Sequence, residues 1–204
     1  LPVKLFAIDE AHCISQWGPS FRPEYEQLTR LRTLFPGAPI AALTATADKV
    51  TREDIVDQLF NKEAAVFVTG FDRPNIKLSV AGKQDWQRQM LSFLRAKKGD
   101  SGIIYCLSRK KTDETTTFLI ENGYDAIPYH AGMEKSEREK NQDRFMTQEG
   151  AVMVATIAFG MGIDKPDIRF VLHADLPSSI EAYYQEIGRA GRDGKPADVL
   201  MLYG

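Results

Sequence analysis

The first residues in the chain that could do chemistry are two adjacent acids, Asp9 and Glu10, directly after the apolar run at 5–8. Such a run predicts a buried strand of a parallel sheet, and ligands of these sheets bind at the carboxyl ends of the strands. There one acid could hold Mg²⁺ through water, while the other could orient a water molecule for attack on a phosphate. Surface turns also often begin with Asp-Glu, so the pair alone leaves both interpretations open.

The loop after these acids carries side chains that are suited to stacking against nucleic-acid bases. Trp17, Phe21 and Arg22 lie in a stretch that Gly18 and Pro19 interrupt. Stacking on aromatic rings contributes ~1–3 kcal/mol per base and tolerates every base, so it suits binding of nucleic acid regardless of sequence. Trp17 could instead be a core residue of the first domain.

Five segments, in a fixed order, resemble the motifs of one family, the RecQ family of superfamily 2 DNA helicases. Residues 9–22 resemble motif II with the aromatic-rich loop of that family, and LTATA at 43–47 resembles motif III. The other matches are IIYC at 103–106 to motif IV, VATIAFGMGIDKP at 154–166 to motif V, and YYQEIGRAGRDG at 183–194 to motif VI. Together they span nearly the whole chain.

The resemblance implies a nucleotide site for ATP and Mg²⁺. It assigns Asp9 to Mg²⁺ through water and Glu10 to activation of the attacking water. Arg189 and Arg192, whose planar guanidinium groups suit phosphoryl oxygens, become catalytic arginine fingers, with a solvated basic turn as the alternative. The predicted nucleotide-binding residues are Asp9, His12, Asp164, Gln185, Arg189 and Arg192.

The roles of His12 and Asp164 are implied by the resemblance alone, and that of Gln185 is inferred from its spacing to Arg189. His12 would link the nucleotide site to motif III, where Thr44 and Thr46 could form the link or cap the helix that follows. Asp164 would face the ribose, although some relatives carry Asn at that place. Gln185 lies one helical turn before Arg189, so its amide could face the same cleft.

The resemblance also implies contacts to DNA in both domains. Hydroxyl groups, backbone amides and Arg at loop edges are the usual positioning contacts for phosphate, and loop hydrogen bonding is the alternative at each position. Lys110 and Lys111 are expected at the solvated start of a helix. The predicted DNA-binding residues are Trp17, Phe21, Arg22, Ser108, Arg109, His130, Gly132 and Thr156.

The overall composition is that of an ordinary globular protein. The 204 residues are 43% hydrophobic and 26% charged with a net charge of −2, so a DNA-binding surface must be a local patch. Cys13 and Cys106 are too few for a disulfide framework or a four-thiolate zinc site, and we expect reduced thiols. With no signal-peptide pattern and no apolar run of ~20 residues, we expect a bacterial cytoplasmic or nucleoid location, or a nuclear one.

Strand-like runs alternate with helical patterns, which is typical of parallel βαβ units. The predicted strands are 3–8, 39–43, 65–68, 101–106, 125–128, 151–155, 168–173 and 197–203, and the pattern also restarts near Ile76. The predicted helices are 24–35, 51–60, 84–97, 111–121, 135–147 and 179–188. The predicted class is α/β, with RecA-like parallel sheets flanked by helices as in the P-loop NTPase helicase core.

The domain prediction is one partial and one complete RecA-like domain. Residues 1–70 would be the C-terminal part of the first domain, 71–76 a linker with Gly and Pro nearby, and 77–204 the second domain. No segment matches the phosphate-binding pattern G-x-x-x-x-G-K-[ST], and the first residue is Leu. We therefore expect a piece of a longer polypeptide, inactive alone, with zinc only in a region beyond Gly204.

The implied activity is that of a 3′-to-5′ DNA helicase that couples ATP hydrolysis to translocation and unwinding in DNA repair and recombination. The implied partners are single-stranded, forked and junction DNA, together with a single-strand-binding protein or repair proteins, and no membrane. A DEAD/DEAH-type RNA helicase is the alternative within the class, disfavoured by the aromatic-rich insert and by Thr-Ala-Thr at 44–46. The alternative outside this class is that the chain, as an isolated fragment, is a nucleic-acid-binding module without ATPase activity.

Overall fold

Two separately packed units, Leu1–Phe71 and Asp72–Gly204, make up the chain. The structure, a computed structural model, describes residues 2–15, 21–70, 72–160 and 163–204. At the predicted linker, the side chains of Arg73 and Asn75 each donate a hydrogen bond to the carbonyl oxygen of Gly191 in the second unit. These two residues are therefore anchored to the second unit, and the linker at 71–76 stays a prediction.

The first unit is built around a short parallel pair of strands. Its elements are β1 (Phe6–Ile8), 3₁₀ helices at Ala11–Ile14 and Pro23–Arg30, α1 (Leu31–Leu34), β2 (Ile40–Ala42) and α2 (Lys49–Phe60). Ala7 pairs with Ala41 in register, and Ile8 packs with Leu59 of α2 in the core. Asp48 caps α2, since its carboxylate accepts a hydrogen bond from the Thr51 amide at 2.8 Å.

Two of the predicted elements in this unit are corrected by the structure. The predicted helix at 24–35 is mostly a 3₁₀ helix, with only four residues in α form at its end. The predicted strand at 65–68 was wrong: within the described residues it pairs with no strand, and Phe67 is 91% exposed. A β-rich composition favours a strand, but only a neighbouring strand can satisfy its backbone groups.

The second unit is a six-stranded parallel sheet with helices on both faces. Its strands are β3 (Ile76–Gly82), β4 (Ser101–Tyr105), β5 (Ala126–Tyr129), β6 (Val152–Ala155), β7 (Ile168–His173) and β8 (Ala197–Tyr203). Its helices are α3 (Trp86–Arg95), α4 (Arg109–Glu121), α5 (Lys135–Thr147) and α6 (Ile180–Ile187). The strand order is β3-β8-β7-β4-β6-β5, which confirms the α/β class with parallel sheets.

Alternate residues of the central strand explain why both faces are covered. Ile103 and Tyr105 pack with Phe145 of α5 and Ile187 of α6 on one face. Ile104 and Cys106 pack with residues of α3 and α4 on the other. A strand buried on both faces reads as a continuous apolar run, and this is why β4 is visible in the sequence.

The strand order also determines where loops meet. From β4 the chain builds β5 and β6 on one side and then returns to build β7 and β8 on the other. The direction of winding therefore reverses between β4 and β7. In open α/β sheets, ligands bind outside the carboxyl ends of the strands at such a reversal.

Candidate functional site

The two acids of the first unit follow β1 and are exposed. Glu10 has a left-handed backbone conformation, with φ 50° and ψ 40°, which is uncommon for a residue other than glycine. The Asp9 Oδ1 atom accepts a hydrogen bond from the Glu10 amide at 2.8 Å. The chain thus turns sharply at Glu10 and presents two neighbouring carboxylates at the end of the strand.

His12 connects these acids to the segment after β2. This residue is buried, and its Nδ1 atom lies 2.8 Å from Thr44 Oγ1 and 3.3 Å from Glu10 Oε2. The backbone reinforces the connection, because the Ala11 amide donates to the Leu43 carbonyl at 2.9 Å. Of the two uses considered for Thr44, the structure shows the contact with His12, while Asp48 performs the capping.

The donor set of this loop fits Mg²⁺ held mainly by phosphates. Within the described ranges, no group of three or more His, Cys, Asp or Glu side chains converges as a protein-only metal site would require. Mg²⁺ commonly binds through one or two carboxylates plus substrate phosphates and waters. An exposed Asp9 beside Glu10 meets that requirement.

Of the three predicted stacking residues, the structure describes Phe21 and Arg22. Trp17 lies outside the described residues. Phe21 is half-buried and Arg22 is exposed. The Arg22 amide, just before the 3₁₀ helix at Pro23–Arg30, donates to the Cys13 carbonyl at 2.8 Å. This hydrogen bond holds the Arg22 backbone next to the 3₁₀ helix at Ala11–Ile14, which directly follows the two acids.

In the second unit, the predicted phosphate contacts come together at one edge of the sheet. Ser108 and Arg109 follow β4, Thr156 follows β6, and His130 and Gly132 follow β5. These three strands are adjacent and parallel, so all three loops lie at the same carboxyl edge. The Thr156 amide donates to the Tyr129 carbonyl at 3.2 Å, which joins two of the loops directly.

Close contacts order this group further. A Cβ atom on Gly132 would lie 2.9 Å from Arg109 Cδ, so the missing side chain lets Arg109 pack over the turn. The Gly132 amide donates to His130 Nδ1 at 3.2 Å, and His130 Nε2 lies 3.0 Å from Asp113 Oδ1. Because Nδ1 accepts, the proton belongs on Nε2, where it is shared with the carboxylate.

The structure also brings together the predicted residues of motifs V and VI. Arg192 donates to Asp164 Oδ1 at 2.6 Å, and a Cβ atom on Gly160 would lie 3.2 Å from Arg189 Nη2. Arg189 is half-buried, whereas Arg192 and Asp164 are exposed. Gln185 is exposed on α6.

A buried polar cluster beneath Arg189 was not predicted from the sequence. His173 Nε2 lies 2.6 Å from Glu186 Oε2, and the imidazole stacks on the Tyr105 ring with centroids 5.3 Å apart. Burial raises the pKa of Tyr105 to about 12, although the neighbouring Arg189 guanidinium opposes the rise. The available sequence signal was a glutamate three residues before Arg189, on the helix face that also carries Tyr183.

The remaining chemical groups serve the core. Both cysteines are buried free thiols, and burial raises the pKa of Cys106 to about 11. A thiol of this kind is unreactive. Among the described residues, no helix has the length and apolar character that crossing a membrane requires.

Comparison with known proteins shows that the chain is similar to helicases. The family model for the helicase conserved C-terminal domain matches residues 82–194, more than half of the chain, and that for DEAD/DEAH box helicases matches 2–55. The ATP-dependent DNA helicase RecQ of Pasteurella multocida is 53% identical over 201 residues, covering 98% of this chain and 32% of that protein. The chain belongs to the helicases that share this conserved C-terminal domain, and it is similar to RecQ helicases.

Other relatives extend the RecQ comparison to eukaryotes. The RecQ-like DNA helicase BLM of Xenopus laevis is 48% identical over 97% of this chain and 15% of its own length. The chain thus spans about a third or less of these relatives. The solved structure of S. cerevisiae Dbp5 bound to RNA and ADP BeF3 matches with a TM-score of 0.74 at 21% identity, covering 98% of this chain and 53% of that one, which shows a shared fold.

Proposed function

We propose that this chain is the motor segment of an ATP-dependent DNA helicase that moves 3′ to 5′ on single-stranded DNA and unwinds duplexes, forks and junctions in repair and recombination. The observation that carries the proposal is the meeting of Ser108, Arg109, Thr156, His130 and Gly132 at one carboxyl edge of the sheet. Hydroxyl, amide and guanidinium groups in such a row suit consecutive backbone phosphates. The RecQ relatives are named DNA helicases, which favours DNA over the RNA alternative.

The acidic residues proposed for ATP hydrolysis, Asp9 and Glu10, lie in the first unit. Asp9 would hold Mg²⁺ through water, and the ion would neutralise charge on the phosphates. Glu10, fixed by its left-handed turn, would align and deprotonate the attacking water. His12 would couple nucleotide binding to the segment that contains Thr44, because its Nδ1 atom lies 2.8 Å from Thr44 Oγ1.

The basic residues proposed to contact ATP lie in the second unit. Arg192 and Arg189 would stabilise charge on the transferring phosphoryl group, and Asp164 and Gln185 would contact the nucleotide. Support comes from the Arg192–Asp164 ion pair and from the seat of Arg189 against Gly160. In both cases a residue of motif V lies next to an arginine of motif VI.

DNA contacts in the first unit would come from Trp17, Phe21 and Arg22, which stack on bases or contact phosphate. Phe21 and Arg22 lie 11 and 12 residues after Glu10 in the sequence, but the Arg22 amide donates a hydrogen bond to the carbonyl oxygen of Cys13, three residues after Glu10. A base bound there could therefore shift the acids. The finer proposals are that a single-strand-binding protein or repair proteins are partners, that zinc binds in a region outside this chain, and that the protein acts in the cytoplasm, nucleoid or nucleus.

The role of Glu10 is tested by Glu10→Gln in the intact helicase. The amide keeps the shape of the side chain but cannot act as a base, so we expect kcat for ATP hydrolysis to fall by at least ~10²-fold while ATP affinity changes little. Glu24→Gln, an exposed acid elsewhere in the same unit, is the matched control. Hydrolysis within a few-fold of wild type would remove Glu10 from the mechanism.

The proposed DNA edge is tested by comparing Arg109→Ala with Lys110→Ala. The two variants lose the same charge, but Lys110 is exposed and pairs with Glu114 at 3.6 Å, outside the edge. We expect Arg109→Ala to weaken binding of a labelled oligo(dT) strand about tenfold and Lys110→Ala to leave it nearly unchanged. Equal effects would mean that only net charge matters, and the edge would not be a site. An intact protein that binds DNA without hydrolysing ATP would favour the binding-module alternative.

A further inference from the structure

Asp175, which the sequence motifs do not include, lies at the point where the winding of the sheet reverses. It follows β7, and its Oδ2 atom accepts a hydrogen bond from the Leu107 amide, after β4, at 3.0 Å. Its Oδ1 atom accepts from Lys83 at 2.7 Å and from Lys111. One carboxylate therefore joins the ends of β3, β4 and β7 to the first turn of α4.

This cluster corrects the expectation for Lys111. The sequence placed Lys110 and Lys111 together at a solvated helix start, yet the Lys111 side chain is only 21% exposed. Its ammonium group also donates to the Ala174 carbonyl at 3.2 Å and lies 5.5 Å from the centre of the Trp86 ring. The aliphatic part of the Lys111 side chain is thus held against the sheet. The ammonium groups of Lys83 and Lys111 both bind the carboxylate of Asp175.

The groups around the Asp175 carboxylate favour its ionised form. Burial alone would raise the pKa of Asp175, but hydrogen bonds from Lys111, Lys83 and the Leu107 amide together hold it below the ordinary value. These three donors converge on two oxygen atoms. An asparagine cannot replace this group, because its NH₂ would meet either the Leu107 amide or an ammonium group.

We propose that Asp175 is a positioning residue for DNA binding, which holds the Leu107–Ser108 turn so that Ser108 and Arg109 meet the phosphate backbone. The inference rests on the proposed function of this edge. Ser108 caps α4 by accepting from the Lys111 amide at 3.2 Å, so Asp175 grips the turn on both sides, through Leu107 and through Lys111. Releasing the turn would move the first residue of the helix, Arg109.

The test is Asp175→Asn in the intact helicase, with fluorescence anisotropy of labelled oligo(dT) over a series of salt concentrations. Removing a negative charge beside a DNA site should, by electrostatics alone, tighten binding. The positioning role predicts the opposite sign: about five- to tenfold weaker binding, corresponding to the loss of one hydrogen bond of average strength. The slope of log Kobs against log salt should also fall by roughly 0.7 for each phosphate that the protein no longer neutralises.

Asp198→Asn is the matched control, because Asp198 also forms a partly buried pair with a lysine, Lys97, but lies near the amino end of β8. It should bind DNA as wild type or slightly more tightly. Asp175→Glu keeps the charge and displaces the oxygens, so weaker binding is expected there too, and it decides the matter if Asp175→Asn does not fold. Unchanged or tighter binding by Asp175→Glu would overturn the inference, whereas a failure of Arg109→Ala to weaken binding would overturn the proposed edge itself.

Discussion

Arg189 and Arg192 lie three residues apart but have different surroundings. Arg189 is half-buried against Gly160, beside Tyr105, and its Nε atom has no hydrogen-bond partner among the described residues. Arg192 is paired with Asp164, whose side chain is 83% exposed. An exposed ion pair contributes only ~0–1 kcal/mol, so Arg192 can exchange its partner for a phosphoryl oxygen at little cost. Arg192 is therefore the better candidate for the arginine finger.

We predict that Arg192→Ala in the intact helicase lowers kcat for ATP hydrolysis by about 10³-fold, while affinity for ATP changes far less. The reason is that a finger acts chiefly on the transition state. Steady-state ATPase kinetics and nucleotide-binding titrations measure the two quantities separately. Asp164→Ala serves as the comparison, because it releases Arg192 without removing it. An equal loss of kcat and affinity in Arg192→Ala would reduce its role to a simple phosphate contact.

At the scale of elements, the centre of the second sheet depends on one close approach. Gly102 of β4 lies opposite Phe170 of β7, and a Cβ atom on Gly102 would lie 2.2 Å from the Phe170 ring. That ring is fully buried and packs edge-on against Phe93 of α3 at 5.9 Å. The ring packs directly over the backbone of Gly102. The position of β4, the strand that leads to Ser108, therefore depends on the absence of a side chain at residue 102.

Gly102→Ala should therefore destabilise the protein by about 1–3 kcal/mol, since the ring can move only by disturbing a close-packed core. Gly82→Ala is a matched control in the same sheet. Its Cβ atom would make only ordinary contacts, 3.9 Å from the Tyr203 ring, so we expect a change within about 0.5 kcal/mol or a slight gain. Chemical denaturation of the two variants measures the difference. Equal stabilities would show that the Phe170 ring adapts freely.

At the scale of the whole molecule, the chain carries two units that divide the proposed chemistry. The acids Asp9 and Glu10 belong to Leu1–Phe71, and the arginines and the DNA edge belong to Asp72–Gly204. No segment of the sequence matches the glycine-rich loop that cradles the β- and γ-phosphates in P-loop motors. The residues proposed for the ATP site would orient water and stabilise charge, but the sequence contains no such loop.

The 204-residue chain by itself should consequently show little or no ATPase activity, even with single-stranded DNA present. Without backbone amides and a lysine around the β- and γ-phosphates, the substrate is neither held nor aligned. A coupled ATPase assay with and without oligo(dT), beside a thermal melt that confirms folding, measures this. DNA-stimulated turnover at rates of about 1 s⁻¹ or more, typical of enzymes, would show that this account of the ATP site is incomplete.

The sequence by itself determined the order of the motifs and the parallel α/β class. Strands β4, β6 and β7 are buried on both faces, so each appears as an apolar run whose length and position can be read locally. The acids after β1 and the glycines of motif VI could likewise be read locally, because their chemistry depends on neighbours within a few residues.

Only the tertiary structure decided which of these loops meet. Asp175 is separated from Leu107 by 68 residues, and the strand order, which no local pattern encodes, brings the two together. The same strand order brings Glu186 into contact with His173 and lets the Lys111 side chain pair with Asp175 in a mostly buried position. Conversely, residues 65–68 have the composition of a strand but remain largely exposed, because strand formation depends on a pairing partner elsewhere in the chain. Local composition sets which elements are possible, and long-range pairing and burial decide which of them form and what they position.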